Sequence, residues 1–195
     1  MKIKAIMLSL ALGATLLVGC GAKETATEPA KTEATEPATT EKTEEPATDV
    51  VTTASLVDNE AAFENGISSK GTWIIATIKD LTFDKEIVVE GEFKNGKKDD
   101  DGKEVIQRKI ALYTQDADHK KTASFTLTAP KLTFNSPMGS VEKGTFVGDI
   151  YVSASNFQLK GATVKGNVYF TTEEAESTFK MDDTSTVSGV QELKK

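Results

Sequence analysis

A glycine-centred pattern recurs through the second half of this chain and limits its possible folds more than any other feature. Gly148, Gly166 and Gly189 each lie two positions after an apolar residue, and the first two begin a run in which apolar and polar residues alternate. The intervals are 18 residues (148 to 166) and 23 residues (166 to 189). Alternation of this kind predicts short β-strands. The intervals suit a β-solenoid, in which two or three strands complete a turn and equivalent side chains stack.

A fourth segment fits the same pattern earlier in the chain. Ile87, Val89 and Gly91 align with the later copies, and a short apolar pair precedes each copy. The pairs are Leu81 with Phe83, Leu132 with Phe134, Phe157 with Leu159, and Phe179 with Met181. Residues 135–144 are interpreted as an insert between the second pair and its glycine. We therefore predict an all-β domain organised as a parallel β-solenoid.

One helix is predicted in front of the solenoid. Asp58 begins it as the N-cap residue, and Gly66 stops it after Asn65. Such a helix would cap the first turn and cover its edge strands. An antiparallel β-sandwich is the alternative fold, because its strands also alternate and because Asn65-Gly66 and Asn95-Gly96 are typical of hairpin turns.

Two of the glycine segments resemble a known family. Phe146-Val147-Gly148-Asp149-Ile150 and Val164-Lys165-Gly166-Asn167-Val168 are similar to the glycine turns of bactofilin-like, polymer-forming proteins. The resemblance covers about 50 residues. It implies a short right-handed parallel β-helix and, as one alternative function, a scaffold that polymerises end to end. An export signal, the N-terminal helix and an irregular middle depart from the family.

The start of the chain carries an export signal. Lys2 and Lys4 precede an apolar run, residues 5–18, which is shorter than the ~20 residues of a membrane-spanning helix. Leu17-Val18-Gly19-Cys20 resembles the lipobox of bacterial lipoproteins. The resemblance implies that residues 1–19 are a signal peptide removed by cleavage and that the sulfur of Cys20 receives a diacylglyceryl group. The expected location is the extracytoplasmic face of the cell membrane, held by lipid.

Cys20 is the only cysteine of the chain and can form no internal disulfide. An ordinary secretory signal followed by a free thiol is the alternative. From Cys20 to residue 52, the repeated Thr-Glu-Pro-Ala composition predicts a disordered linker, spanning roughly 30 Å as a flexible coil. Residues 53–195 are then one β-solenoid domain, long enough for a real core.

The charge of the chain restricts its partners. The net charge is −7 and the single arginine is Arg108, so the clustered cations that nucleic acid requires are missing. The expected membrane contact is through lipid on Cys20. The remaining candidate partners are a cell-wall polysaccharide or another envelope protein.

No catalytic set or cofactor motif is recognised. His119 is the only histidine and lies in a charged turn, so a solvated loop residue is the simpler interpretation, and a zinc site of histidines and cysteines lacks ligands. Asp99-Asp100-Asp101-Gly102 fails the EF-hand pattern at both ends of the loop. Asp99 and Asp101 are retained as candidates for an irregular calcium site, beside the simpler interpretation of a polar hairpin loop.

A small polysaccharide-active enzyme is one alternative function. Larger right-handed β-helices include polysaccharide lyases, and the resemblance would assign the base and the calcium site to Arg108, Lys109 and the Asp99 cluster. The preferred interpretation is a module without catalysis, which binds a partner or has a structural role at the envelope.

Two tyrosines are the candidate binding residues. Tyr151 and Tyr169 each follow a glycine by three positions, and alternation directs them away from the predicted core. Stacked turns would place them side by side on one outer face, with Lys131 or Gln158 as neighbours. We expect this face to bind a partner by aromatic stacking.

Overall fold

Parallel pairing of short strands organises this protein. A computed structural model describes residues 55–194, and these residues fall within one compact unit. The helices are α1 (Glu60–Ile67) and α2 (Glu173–Thr178). The strands are β1 (Ser55–Val57), β2 (Ile74–Thr77), β3 (Leu81–Thr82), β4 (Ile87–Val89), β5 (Lys94–Lys98), β6 (Glu104–Ile106), β7 (Arg108–Ala111), β8 (Tyr113–Gln115), β9 (Lys121–Ser124), β10 (Thr126–Phe134), β11 (Gly139–Val152), β12 (Gln158–Lys165), β13 (Val168–Phe170), β14 (Lys180–Met181), β15 (Thr186–Val187) and β16 (Gln191–Leu193).

Within residues 55–194, one sheet of 12 strands contains every strand outside two hairpins. All pairings in this sheet are parallel. The hairpins, β5–β6 and β8–β9, are antiparallel. The antiparallel sandwich considered as the alternative is therefore wrong, because its sheets need antiparallel neighbours.

The large sheet consists of three ladders of strands. The first ladder runs β3, β10, β11, β12, β15, the second β4, β10, β11, β13, β16, and the third β1, β2, β7, β11, β12, β14. Strand β11 is 14 residues long and belongs to all three ladders. The sheet is consequently curled around a shared core, and the all-β prediction is confirmed.

The core consists of columns of apolar side chains, one column for each inward position of a ladder. In the first ladder the in-register residues are Leu81, Leu127, Phe146, Val164 and Val187. In the third they are Ile75, Ile110, Val141, Leu159 and Met181. All but the last member of each column is buried. Burial of each such side chain contributes roughly 1.5–3 kcal/mol, so the columns stabilise the stacked arrangement.

The three later glycines stack as predicted. A Cβ added to Gly166 would overlap the carbonyl oxygen of Gly148, and one added to Gly189 would meet the carbonyl oxygen of Gly166. The alignment of Gly91 with this column is wrong. Ile87 pairs with Leu132 and thus falls in the second ladder, two positions beyond the glycine column.

Helix α1 is present but shifted from its predicted bounds. The side chain of Asn59, rather than Asp58, accepts the N–H of Ala62 at 2.9 Å. Gly66 lies inside the helix, where a Cβ would come within 3.1 Å of Ile75. The glycine thus allows close packing and does not end the helix. The α1 residues pack against β1, β2 and β4.

Helix α2 was not predicted from the sequence. It has only 6 residues, and Thr172 caps it by accepting the N–H of Ala175 at 3.0 Å. Ala175 is fully buried in the core. A single apolar contact of this kind leaves almost no periodic signal in the sequence.

Candidate binding face

Parallel register places the two predicted tyrosines side by side. Tyr151 of β11 pairs with Tyr169 of β13, and their ring centroids are 5.0 Å apart with the planes inclined by 46°. Both rings are half-buried and point outward, because the flanking residues Ile150, Val152 and Val168 point into the core. The prediction that these tyrosines share one face is therefore confirmed.

Two lysines cover the tyrosine rings. The Nζ of Lys131 lies 4.6 Å from the centroid of Tyr151, and the Nζ of Lys194 lies 4.1 Å from that of Tyr169. Lys194 also donates a hydrogen bond of 3.0 Å to the hydroxyl of Tyr151. An exposed cation–π contact contributes about 0.5–1 kcal/mol. We call Lys131, Tyr151, Tyr169 and Lys194 the tyrosine face.

The charge of Lys194 is stabilised by the tyrosines. Its hydrogen bond to Tyr151 is the largest cause of a raised pKa, and desolvation opposes it. The electrostatic effects of Tyr151, Tyr169 and Asp149 add to the rise. Lys194 is therefore charged at neutral pH and presents an ammonium group at the edge of the face.

Lys131 forms an ion pair with the carboxylate of Glu86, the residue directly before β4. Its Nζ lies 2.9 Å from Oε1 of Glu86, which also accepts the hydroxyl of Thr133 at 2.6 Å. The hydrogen bond from Thr133, followed by that from Lys131, lowers the pKa of Glu86. The ion pair is half exposed, so it orients Lys131 more than it stabilises the fold.

The sequence identified only part of this face. Lys131 is a neighbour of Tyr151 as expected, whereas Gln158 lies in the third ladder opposite Ser140 and Lys180. Glu86 and Lys194 were missed. Nothing local singles them out. Glu86 reaches Lys131 only through the register of Ile87 with Leu132, 45 positions apart, and Lys194 lies after the last described strand.

The geometry changes the expected mode of binding. Ammonium groups lie over the ring faces, so flat stacking of a sugar on an open ring is not what this face offers. The accessible groups are phenol hydroxyls and lysine ammoniums, which bind hydroxyl-rich or acidic ligands by hydrogen bonds. None of these four residues is a histidine, cysteine, serine or carboxylate.

Asp99 and Asp101 lie at the tip of the β5–β6 hairpin. Oδ1 of Asp99 accepts the backbone N–H groups of Asp101 at 3.1 Å and Lys103 at 2.8 Å. The interpretation of this segment as a polar hairpin loop is confirmed. In the part of the chain from 55 to 194, no three histidine, cysteine, aspartate or glutamate residues are grouped to hold a metal ion.

Arg108 and Lys109 face opposite sides of β7. Arg108 is fully buried and donates to the backbone carbonyls of Gly66, Ser68 and Thr72. Burial lowers its pKa to about 10. Lys109 instead points outward and pairs with Glu142. The residues that the lyase alternative requires are thus not brought together.

His119 is exposed in the β8–β9 turn, as the sequence suggested, with Nδ1 3.0 Å from the amide nitrogen of Gln115. The predicted lipidation of Cys20, the signal peptide 1–19 and the linker up to 52 lie outside the described residues. No helix between 55 and 194 has the length and apolar character needed to cross a membrane.

Comparison with known protein families, with curated proteins and with solved structures finds no match for this chain.

Proposed function

We propose that this protein is a bacterial lipoprotein, held by lipid on Cys20 at the extracytoplasmic face of the cell membrane, whose β-domain binds a cell-wall polysaccharide without catalysis. The Leu17-Val18-Gly19-Cys20 motif after an apolar run supports the anchor. A double acyl anchor gives stable attachment, unlike a single chain. The linker after Cys20 then spaces the domain from the membrane.

In this proposal the curled sheet is a short right-handed β-helix of the bactofilin-like type, capped by α1. The three parallel ladders and the stacked glycines support a coiled path of the chain. The packing of α1 against β1, β2 and β4 supports its role as a cap. A capped end has no free strand edge, which favours a discrete protein over a filament.

The tyrosine face is the observation that carries the proposed function. Tyr151 and Tyr169 stand in register on adjacent strands, with Lys131 and Lys194 against their rings. Hydroxyl and ammonium groups repeat here along the ladder, at a strand spacing of about 4.8 Å. Such a row fits an extended polysaccharide that carries hydroxyl and acidic groups.

Cosedimentation with purified cell-wall polysaccharide tests this function. Replacing both tyrosines, Tyr151→Ala with Tyr169→Ala, is expected to weaken binding about tenfold, equivalent to 1.4 kcal/mol. The matched control is Thr145→Ala with Thr163→Ala, an in-register pair on the first ladder. The control should bind like the wild type. Equal binding of both double variants would overturn the assignment of the face.

A polymerising scaffold is the second candidate function. Met181 is 40% exposed at the end of the third ladder, where the last rung has no further strand among the described residues. This end is open to a second copy. Filaments in negative-stain images of the unlipidated protein would favour the scaffold over the binding function, whereas discrete particles would support the binding function.

A further inference from the structure

An apolar groove lies on the outer side of the third ladder, away from the tyrosine face. Its volume is about 290 Å³, and its lining includes Leu56, Ile74, Ala76, Ile78, Ala111 and Tyr113. Leu56 is 66% exposed and Ile78 is 38% exposed. The volume is near the lower limit of ordinary ligand sites, which are mostly apolar with a few polar groups.

One column of outward residues forms the floor of this groove. The in-register positions across the ladder are Leu56, Ala76, Ala111, Glu142 and Lys160. Two small alanine side chains make the groove deep at its floor. Tyr113 and the two residues after it, all from β8 of the β8–β9 hairpin, form one wall. The column changes from apolar to charged between Ala111 and Glu142.

Lysines collect at the charged end of the column. Glu142 forms an ion pair with Lys109 and lies 3.6 Å from the Nζ of Lys160. The Nζ of Lys143 lies 4.0 Å from the ring centroid of Tyr113, and no carboxylate among residues 55–194 pairs with it. Two lysines thus pair with Glu142 and a third lies against Tyr113, a local positive excess in a chain of net charge −7.

Tyr113 joins the two ends of the site. Its ring lines the apolar groove, and its hydroxyl lies 3.3 Å from the Nζ of Lys109. Burial opposes the charge of Lys109, but the hydrogen bond and the charge of Glu142 outweigh it, so the pKa of Lys109 is raised. Lys109 is the closer partner of Glu142 and Lys160 the more distant one, at 3.6 Å. One carboxylate cannot balance both of these lysines and Lys143, so positive charge remains for a ligand at Lys143 and Lys160.

We infer that this groove binds one acidic amphiphile, a single alkyl chain that ends in a carboxylate or phosphate. The head group pairs with Lys143 and Lys160, and the chain follows Ala111 and Ala76 towards Leu56. The three steps from Glu142 to Leu56 cover about 14 Å at the usual strand spacing. Charge complementarity at one end and the apolar floor at the other fix the direction of the ligand.

Calorimetric titration of the full chain carrying Cys20→Ser, which has no lipid of its own, tests this site with laurate below its micelle concentration. Saturable binding of one laurate is expected. Lauryl alcohol lacks the charge and acetate lacks the long alkyl chain. Each should bind at least tenfold more weakly than laurate. Absence of laurate binding would overturn the proposal.

Variants separate the two ends of the site. Leu56→Glu should weaken laurate binding at least tenfold, whereas Met181→Glu, also at an exposed apolar residue, should not. Lys143→Gln with Lys160→Gln should lose the preference for laurate over lauryl alcohol, whereas Lys165→Gln should keep it. Unchanged laurate affinity in Leu56→Glu, together with an unchanged preference for laurate in Lys143→Gln with Lys160→Gln, would contradict the site.

Sedimentation of the same proteins excludes another occupant. The proposal predicts that the wild type and Leu56→Glu have the same oligomeric state. If the wild type is a dimer and Leu56→Glu is a monomer, the groove is an interface between copies, and the amphiphile proposal is wrong. If the tyrosine face does not bind polysaccharide, laurate binding in the groove is unaffected, because the two sites share no residue.

Discussion

Gly166 lies where the chain of one rung passes closest to the rung before it. A Cβ at this position would overlap the backbone carbonyl oxygen of Gly148, which cannot move without breaking the ladder. Its neighbour Asn167 donates its backbone N–H to Asp149 at 2.9 Å, so the corner is also tied by hydrogen bonds. Glycine is required here by space.

Substitution of this glycine is expected to be costly. Gly166→Ala should lower the free energy of unfolding by about 3 kcal/mol, since the clash is with backbone in a packed corner. The control is Gly102→Ala in the β5–β6 hairpin, where φ is +77° and no atom lies within 4 Å of the added Cβ. The control should lose about 1 kcal/mol, from the positive φ alone. Urea denaturation measures both, and equal losses would contradict the stacked corner.

At the scale of elements, Arg108 holds the connection from α1 to β2. Its guanidinium donates to the carbonyls of Gly66, Ser68 and Thr72 and lies 4.3 Å from the ring centroid of Phe93. Among the described residues no carboxylate pairs with it. Backbone carbonyls accept hydrogen bonds from Nη1 and Nη2, because the planar fork of donors reaches several acceptors, whereas the buried Nε has no partner among the described residues.

The conservative change Arg108→Lys should therefore destabilise the protein. One ammonium cannot reach all three carbonyls, and each buried acceptor left unpaired costs roughly 1–3 kcal/mol. We expect a loss of at least about 2 kcal/mol in urea denaturation. Lys165→Met, at an exposed position of β12, should stay within about 0.5 kcal/mol of the wild type. A stability of Arg108→Lys equal to that of the control would exclude the clamp.

The sequence predicted elements well where the signal is local. Alternation around Gly148 and Gly166 gave the strands and their stacking, and the outward direction of Tyr151 followed from it. The end of the third ladder was predicted, since Leu159 and Met181 were aligned and are in register. Its middle was missed, because residues 140–142 were interpreted as part of an insert, although they pair with β7 and β12. Register between distant segments is a property of the whole fold and leaves little local trace.

Side chains that pair across rungs were harder to predict than strands. Arg108 was considered only as a residue of the lyase alternative, and its full burial was not predicted, because charged residues are rarely fully buried. Lys194 follows the last strand and reaches Tyr151 only when the ladder is complete. The lysine cluster around Glu142 escaped notice for the same reason, since its members come from β7, β11 and β12.

At the scale of the whole molecule, the stacked parallel strands place the two proposed sites on separate faces. The tyrosine face belongs to the second ladder and the apolar groove to the third. Both depend on the same register, because each is built from residues far apart in sequence. A lipid-anchored protein of this form would offer the polysaccharide and the amphiphile separate surfaces.

The parallel register is the central claim, and proton–proton contacts in NMR spectra of the isotope-labelled full chain carrying Cys20→Ser test it most directly. We predict contacts between backbone protons of Phe146 and Val164 and of Ile150 and Val168, which keep one order along both strands. Contacts in the reversed order, Phe146 with Val168 and Ile150 with Val164, would show antiparallel neighbours and contradict both sites.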